Sequence, residues 1–387
     1  LAGRSRTNRS CVCHVVEAPA RDGGEFAATR GLCCAHPRPP RSVPCSPPPP
    51  SSPRPRRAML THRTTVVFAV FAAGGASALV LVRRRRRLVA LRVFGAAARL
   101  CHGEAAARVR AVVVGGGGAA GLHAVVDFDR TLTAHDSSQC HDSLQLLPAP
   151  HAKLNGEMAR YLDFSDGGHP GLTGAPFSAW WDQVHALLRV HNVTRGDLAH
   201  AQGAARFALR PGAAEALHEM RRLGVPCTIV SAGLEHIILD LLREAGFHDA
   251  VSAADCDGVH DARIRVLANR LEFCSEGKCV GCWPDPHVTS GNKRELTYTL
   301  LRAHFDAAPD AAGRRLVVIG DSCGDARVAG LVPAASTLTV GYYDPGNPWK
   351  TRPDFEKAFD VLLPHTDDLF WLGALLRDLE CGTLTAE

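Results

Sequence analysis

Asp127 and Asp129 stand two residues apart in Asp127-Phe128-Asp129-Arg130-Thr131, directly after the apolar run AVV at 124–126. If that run is a strand, period-two alternation sends both carboxylates to one side as the chain leaves the sheet. Two carboxylates at one point can divide the work of nucleophile and general acid or base. Asp is also common in turns and at helix starts, so this stretch alone reads equally as a capping pair. Ser231 closes VPCTIV and precedes Ala232-Gly233, where a hydroxyl and backbone N–H groups can meet an anion. Taken singly it is just as well an N-cap. Lys293, in Gly291-Asn292-Lys293-Arg294-Glu295, offers an ammonium on a flexible stem, although a lone lysine is ordinarily solvated. RLVVIG at 315–320 delivers Gly320-Asp321-Ser322-Cys323-Gly324-Asp325, acidic oxygens straight after a buried strand and suited to a hard divalent cation.

To act together these groups need a scaffold that brings strand ends side by side. Apolar, β-branched runs at 124–128, 225–231, 315–320 and 336–341 alternate with helical stretches such as PGAAEALHEMRRLG and GLEHIILDLLREAG. Strands of that kind, separated by amphipathic helices, predict a doubly wound α/β core with a parallel sheet covered on both faces. In such sheets ligands bind at the carboxyl ends of the strands, where the two aspartates fall. Nearly a hundred residues lie between the first and second strands, too many for an ordinary crossover, and they include HAKLNGEMARYL and FSAWWDQVHALLRV. That excess reads as an inserted helical cap. The expected division is a core of 122–135 and 211–380 with the cap at 136–210.

The chain ahead of this core differs in kind. Residues 1 to 110 hold 20 Lys and Arg against 4 Asp and Glu, while the remainder holds 24 against 35. The acidic balance after residue 110 gives no footprint for gripping long nucleic acid. Residues 1–63 are basic and Pro-rich with no sustained apolar period, which predicts disorder, and Met59 is a candidate start just ahead of an apolar segment. Thr64 to Val82 are nineteen uncharged residues, enough as a helix to span a bilayer core. Arg83 to Arg87 follow, and such a block favours a signal-anchor orientation with a cytoplasmic catalytic domain. A cleaved secretory signal or an organelle transit peptide are the rival readings. Residues 83–121 read as a basic, Gly-rich linker, and the fourteen scattered cysteines as reduced thiols.

DFDRT, VSAG, NKRE and GDSCGD, in that order, resemble the four motifs of the haloacid-dehalogenase superfamily. ALRPGAAEALHEMRRLGVPCTIVSAGLEHII, VLANRLEF and VIGDSCGDARVAG are similar, more narrowly, to the cytosolic pyrimidine 5'-nucleotidases, over roughly residues 122 to 370. That resemblance implies Asp127 as nucleophile, Asp129 as general acid and base, and Ser231, Ala232 and Lys293 as phosphate clamps. It implies Mg²⁺ as cofactor, with Asp127, Asp129 and Asp321 in the metal set and Asp325 in support. The substrate would be a nucleoside 5'-monophosphate. A phosphatase for phosphoserine or another small metabolite, and a membrane-tethered interaction protein on the same scaffold, are the alternatives.

The cap departs from the family pattern. Where the family places a glutamate beside an aromatic pair, this chain reads Ser178-Ala179-Trp180-Trp181-Asp182, with Ala179 in the glutamate's place, and Ala205 stands nearest a missing family serine. Trp180 could stack on a base, although its spacing with Val184, Leu187 and Leu188 equally predicts a core position with Trp181 on the wet face. His185 on the same helix reads as structural. Cys274, Cys279, Cys282 and His287 form a compact set that could hold zinc, with free thiols on a loop as the other reading.

Overall fold

The apolar runs of this chain form a parallel sheet because their β-branched side chains are covered from both sides. A computed structural model of the chain describes residues 93–95, 97–114, 119, 121–162, 177–253, 264–306, 314–331, 336–348 and 350–381. In chain order the elements are β1 (Arg99–Leu100), α1 (Ala105–Val114), β2 (Leu122–Val126), α2 (Ala152–Leu162), α3 (Phe177–Val190), α4 (Arg195–Ala204), α5 (Ala213–Arg222), β3 (Cys227–Leu234), α6 (Glu235–Glu244), β4 (Val251–Ser252), β5 (Ile264–Phe273), β6 (Cys279–Trp283), α7 (Lys293–Asp306), β7 (Arg315–Gly320), α8 (Cys323–Ala326), β8 (Thr337–Tyr343), α9 (Arg352–Ala358), β9 (Val361–Pro364) and α10 (Phe370–Cys381).

Among the described residues the strands lie in the order β1-β9-β8-β7-β2-β3-β5-β4, with β6 paired to β5. All pairs from β9 to β4 along that order are parallel, while β1 on β9 and β6 on β5 are antiparallel. Every residue of β2 and β7 is buried. Alternate positions feed opposite faces: Ala124, Val126, Val317 and Ile319 join one apolar cluster, and Val125, Leu316 and Val318 the other. This is the two-faced burial of an α/β sheet.

The amphipathic stripes of α5, α6 and α10 meet the first of those faces through Leu217, Ile238 and Leu376, all fully buried. Between β2 and β3 stand α2, α3 and α4, whose residues Leu154, Val184, Leu188 and Leu198 join the same cluster. Thr194 caps α4 with a capping box: its Oγ1 accepts from Asp197 N at 3.2 Å while Asp197 Oδ2 accepts from Thr194 N at 2.8 Å. Such a cap stabilises a helix by about 1 kcal/mol.

Part of the stretch expected to be linker, 83–121, belongs to the fold. β1 extends the sheet, and Val109 and Val112 on α1 are fully buried in the main cluster. Ala105, Val109 and Val112 of α1 are spaced to bury one stripe, a signal that the neighbouring arginines and glycines conceal in the composition. The extension 1–63 and the apolar segment 64–82 lie outside the described residues. Among those that are described, no helix is long and apolar enough to cross a membrane. The described cysteines Cys101, Cys140, Cys227, Cys274, Cys279, Cys282, Cys323 and Cys381 are all free thiols.

Candidate active site

β2, β3 and β7 end side by side, and the acidic motifs leave the tips of β2 and β7. Asp127 leaves β2 with its N–H donating to Ile319 O of β7 at 2.9 Å, so the ladder continues through the residue whose side chain turns into the site. Asp127 Oδ2 accepts from the Thr131 hydroxyl at 3.1 Å. Lys293, first residue of α7, donates from Nζ to Asp127 Oδ1 at 2.5 Å and to Asp325 Oδ1 at 2.7 Å. The solvated lysine of the bland reading is thus a buried ammonium, only 5% exposed at the side chain, held between two buried carboxylates.

Asp325 is fixed from its other oxygen, which accepts from Ser322 N at 2.9 Å and Ser322 Oγ at 2.7 Å in the capping box that starts α8. The two glycines of GDSCGD are required by close approach. A Cβ on Gly320 would overlap the Asp325 carboxyl, and one on Gly324 would overlap the backbone carbonyl of Ser290. Asp321 pairs with Lys350 Nζ at 2.6 Å.

The charges of this cluster do not balance on their own. Burial raises the carboxyl of Asp127 well above the ordinary carboxylate range, Lys293 opposes that rise, and the carboxylates of Asp325 and Asp321 add to it. Burial alone would lower Lys293, but Asp127 and Asp325 outweigh it and hold the ammonium protonated beyond its usual range. Two ammonium groups therefore face three carboxylates. One carboxylate oxygen from each of Asp127, Asp321 and Asp325 lies within 4.8 Å of the others, a donor set of hard oxygens that fits a small divalent cation. The Asp129 carboxylate, expected in that set, is not part of this group; its Oδ1 accepts from Cys140 N at 3.0 Å. Burial pushes Asp129 up to about 7, with the Cys140 hydrogen bonds pulling the other way.

The loop that holds both aspartates is bent by Arg130, a non-glycine residue in the left-handed region at φ 60°. Such a conformation costs on the order of 1 kcal/mol or more and needs local support. Arg130 N donates to Thr133 Oγ1 at 2.7 Å, and the buried Arg210 supplies the rest. Its guanidinium donates to the carbonyls of Arg130, Thr131 (2.7 Å), His365 (2.8 Å) and Asp367 (2.5 Å), and sits 3.9 Å over the Tyr342 ring. A planar five-donor fork suits four carbonyls that a lysine could not span. Arg210 precedes the PGAAEAL helix with no signal beyond that position.

Ser231 does not end β3, as the run VPCTIV suggested. The strand continues to Leu234, and its register against β5 shifts between Val230 and Leu234, so Ser231, Ala232 and Gly233 form a bulge at the sheet's carboxyl edge. Within it Gly233 N donates to Ser231 Oγ at 3.0 Å. Asn269, fully buried on β5, donates to Ala232 O at 2.8 Å and Val288 O at 3.0 Å, and accepts from Val288 N at 2.9 Å. It ties the bulge to the loop that leads to Lys293. Asn269, Arg210 and Lys350 were not singled out from sequence, since each matters through a contact with a distant segment.

On the cap side, α3 spans the stretch FSAWWDQVHALLRV. Trp181, expected on the wet face, is buried at 3% exposure with Val184 and Leu188, a spacing of three and seven residues that serves a helix stripe as well as the one through position 180. The side chains of Ala179 and Trp180 lie outside the described residues. The zinc set read from sequence is not assembled: Cys274 and Cys279 share no ligand group with Cys282 and His287 among the described residues, and Cys279 instead donates from Sγ to Gly281 O at 3.7 Å.

The model of the family described as pyrimidine 5'-nucleotidase (UMPH-1) matches residues 175–380, over half of the chain. A 7-methylguanosine phosphate-specific 5'-nucleotidase from Gallus gallus is 23% identical over 272 residues, covering 67% of this chain and 88% of that protein. The protein of the same name from Drosophila melanogaster is 27% identical over 164 residues, covering 42% and 46%. The crystal structure of cytosolic 5'-nucleotidase IIIB bound to cytidine superposes with a TM-score of 0.54 at 20% identity, over 74% of this chain and 95% of that one, which shows a shared fold. With an α/β parallel sheet of the haloacid-dehalogenase phosphatase type and a family match across most of its core, the chain belongs to the pyrimidine 5'-nucleotidase family of phosphoric monoester hydrolases.

Proposed function

We propose that this chain hydrolyses nucleoside 5'-monophosphates to nucleoside and inorganic phosphate through an aspartyl-phosphate on Asp127. The observation that carries the reading is the buried cluster of Asp127, Lys293, Asp325 and Asp321 at one strand tip, beside an Asp129 raised to about 7. In the first half-reaction an Asp127 carboxylate oxygen forms a bond to phosphorus, the bond from phosphorus to the nucleoside oxygen breaks, and Asp129 gives its proton to the departing alkoxide. In the second, the Asp129 carboxylate takes a proton from water as the water oxygen attacks phosphorus. The bond to Asp127 breaks and phosphate leaves. A carboxyl poised near neutrality can serve both steps, because it is a competent donor when protonated and a competent acceptor once it has given the proton up.

Lys293 neutralises phosphoryl charge, and Ser231 with the backbone around Ala232 holds the non-bridging oxygens, a role suited to a bulge freed from the regular ladder. Asp127, Asp321 and Asp325 would hold Mg²⁺, which supplies charge stabilisation at the phosphoryl oxygens when bound. The helices at 136–210 serve as a mobile cap over the strand tips, with Trp180 as base contact.

The test is phosphate release by the purified chain with Mg²⁺ from UMP, CMP, 7-methyl-GMP and phosphoserine. A preference of about tenfold or more in kcat/KM for nucleotides, about 1.4 kcal/mol of transition-state binding, is expected. Equal or better turnover of phosphoserine overturns the nucleotide reading while leaving the phosphatase reading intact.

A further inference from the structure

A second set of metal-ligand side chains lies away from the strand tips, where α3 meets the β5–β6 hairpin. One ring nitrogen each of His185 and His287 and the sulfur of Cys282 lie within 4.8 Å of one another. His185 comes from α3, Cys282 from β6, and His287 from the loop that follows β6. His185 Nε2 is 3.8 Å from Cys282 Sγ, and the two imidazoles meet edge to face with centroids 4.3 Å apart. His287 Nδ1 faces the Pro284 carbonyl at 3.1 Å, while its Nε2 faces Asp182 Oδ1 at 3.2 Å.

We propose that His185, Cys282 and His287 form a binding site for a borderline-soft divalent cation of the zinc class, with Asp182, which touches His287 but stands outside their 4.8 Å group, drawn in as fourth donor, and that the ion clamps α3 to the hairpin and to the loop preceding Lys293. Three arguments support this. The donor types are those that zinc takes, nitrogen and sulfur with one carboxylate oxygen, and they differ from the all-oxygen set at Asp127. The spacing is close to what one ion imposes: sulfur and nitrogen bound to a single tetrahedral zinc stand about 3.6 Å apart, so the observed 3.8 Å needs a shift of a few tenths of an ångström. Lastly, His185 is 3% exposed, and the partner its Nε2 has among the described residues is the Cys282 sulfur at 3.8 Å. A long contact to a thiol is a weak reason to bury an imidazole, whereas a metal bond uses its lone pair fully.

The surroundings also suit ligation. With Nδ1–H donating to Pro284 O, His287 is held in the tautomer that leaves Nε2 for a metal, the arrangement by which outer-shell carbonyls usually orient ligating imidazoles. Asp182 extends from α3 one turn ahead of His185, so two donors of the helix approach the ion from one side. Binding replaces the Cys282 S–H bond by a sulfur–metal bond, and that proton passes to solvent. Asn292 Nδ2 donates to His287 O at 2.8 Å, so an ion fixing His287 also fixes the turn from which Lys293 enters the strand-tip site.

The test uses the full chain, stripped of metal and titrated with Co²⁺ as a spectroscopic probe. One equivalent should produce the visible bands of tetrahedral cobalt together with a near-ultraviolet thiolate-to-cobalt band. Cys282→Ser should lose the sulfur band, and Cys274→Ser should keep it. Asp182→Asn and His287→Gln should each weaken cobalt by about 10-fold or more, since even outer-shell partners carry about 10- to 100-fold in affinity. Absence of a sulfur band in the unaltered chain overturns the proposal, as does its survival in Cys282→Ser. Should Cys282→Ser fail to fold by circular dichroism, undiminished affinity in His287→Gln, at a partly exposed position, overturns it instead. Because an all-oxygen site gives no sulfur band, the outcome is independent of whether the chain hydrolyses nucleotides.

Discussion

At the strand tips, charged side chains are held in pairs and mostly buried: Lys293 reaches two carboxylates, Asp325 is bound at both oxygens, and the half-buried Asp321 has Lys350. On the cap side the polar groups that face inward are rings, with His141, Trp181, His185 and His287 in successive ring contacts and carboxylates offered at the two ends, by Asp142 to His141 and by the exposed Asp182 to His287. The difference teaches where each kind of specificity resides. Phosphoryl chemistry needs fixed charges at fixed separations in a low-dielectric place, which short motifs at adjacent strand ends provide. Recognition of the rest of a substrate rests on which face a helix presents, and α3 shows how small a rotation decides that.

Asp127→Asn should break the strand-tip region most completely. Hydrolysis is expected to fall to the background rate in a phosphate-release assay, with the fold intact by circular dichroism. Lys293→Met comes next, because it leaves Asp127 and Asp325 buried without their ammonium. Loss of one preorganised donor costs about 10²- to 10³-fold in kcat, and an orphaned buried charge about 3 to 5 kcal/mol of stability, read by urea denaturation.

Asp129→Asn should lower kcat by about 10²- to 10⁴-fold while affecting stability in the opposite sense. Its carboxyl, at about 7 in the fold against about 3.8 in the unfolded chain, binds its proton more tightly when folded. The stabilisation it gives is complete below about pH 4 and is lost as pH rises through 7. The Asn variant should therefore melt above the unaltered protein at pH 8, and that advantage should vanish by pH 4. A pH-independent difference in melting temperature would contradict this.

Arg210→Lys keeps the positive charge but not the fork. Unpaired carbonyls around the Asp127 loop should cost roughly 3 kcal/mol, with kcat falling more than KM rises. On the cap, Trp180→Ala should do the least to chemistry: a KM increase worth about 1 to 3 kcal/mol of base stacking, at unchanged kcat. A fall in kcat without change in KM would erase the distinction between the two regions.

How far the sequence reaches follows the same division. β7 spans the run RLVVIG because a strand buried on both faces is continuously apolar, and α5 and α6 lie within the stretches PGAAEALHEMRRLG and GLEHIILDLLREAG. The convergence of Asp127, Asp321 and Asp325 was expected for similar reasons, since parallel strands place their motif-bearing ends together, whereas Lys293, at the start of a helix, was expected with them only from the family resemblance. Three things stayed hidden. Trp181 rather than the wet face holds the stripe on α3, because adjacent tryptophans satisfy helical periodicity equally. β1 and α1 fell within an apparent linker, because the arginines and glycines around them dominate the composition. Arg210 and Asn269 act across 79 and 37 residues of sequence, on partners that are backbone atoms and carry no side-chain signature.

The measurement that bears most directly on Asp127 is a rapid-quench mass analysis of Asp129→Asn turning over an aryl phosphate, whose leaving group needs no proton. Removing the base for the second half-reaction without hindering the first should let a phosphoryl group accumulate on the peptide that contains Asp127. Turnover with no covalent phosphate, or phosphate on any other side chain, would contradict the assignment of Asp127 as the nucleophile.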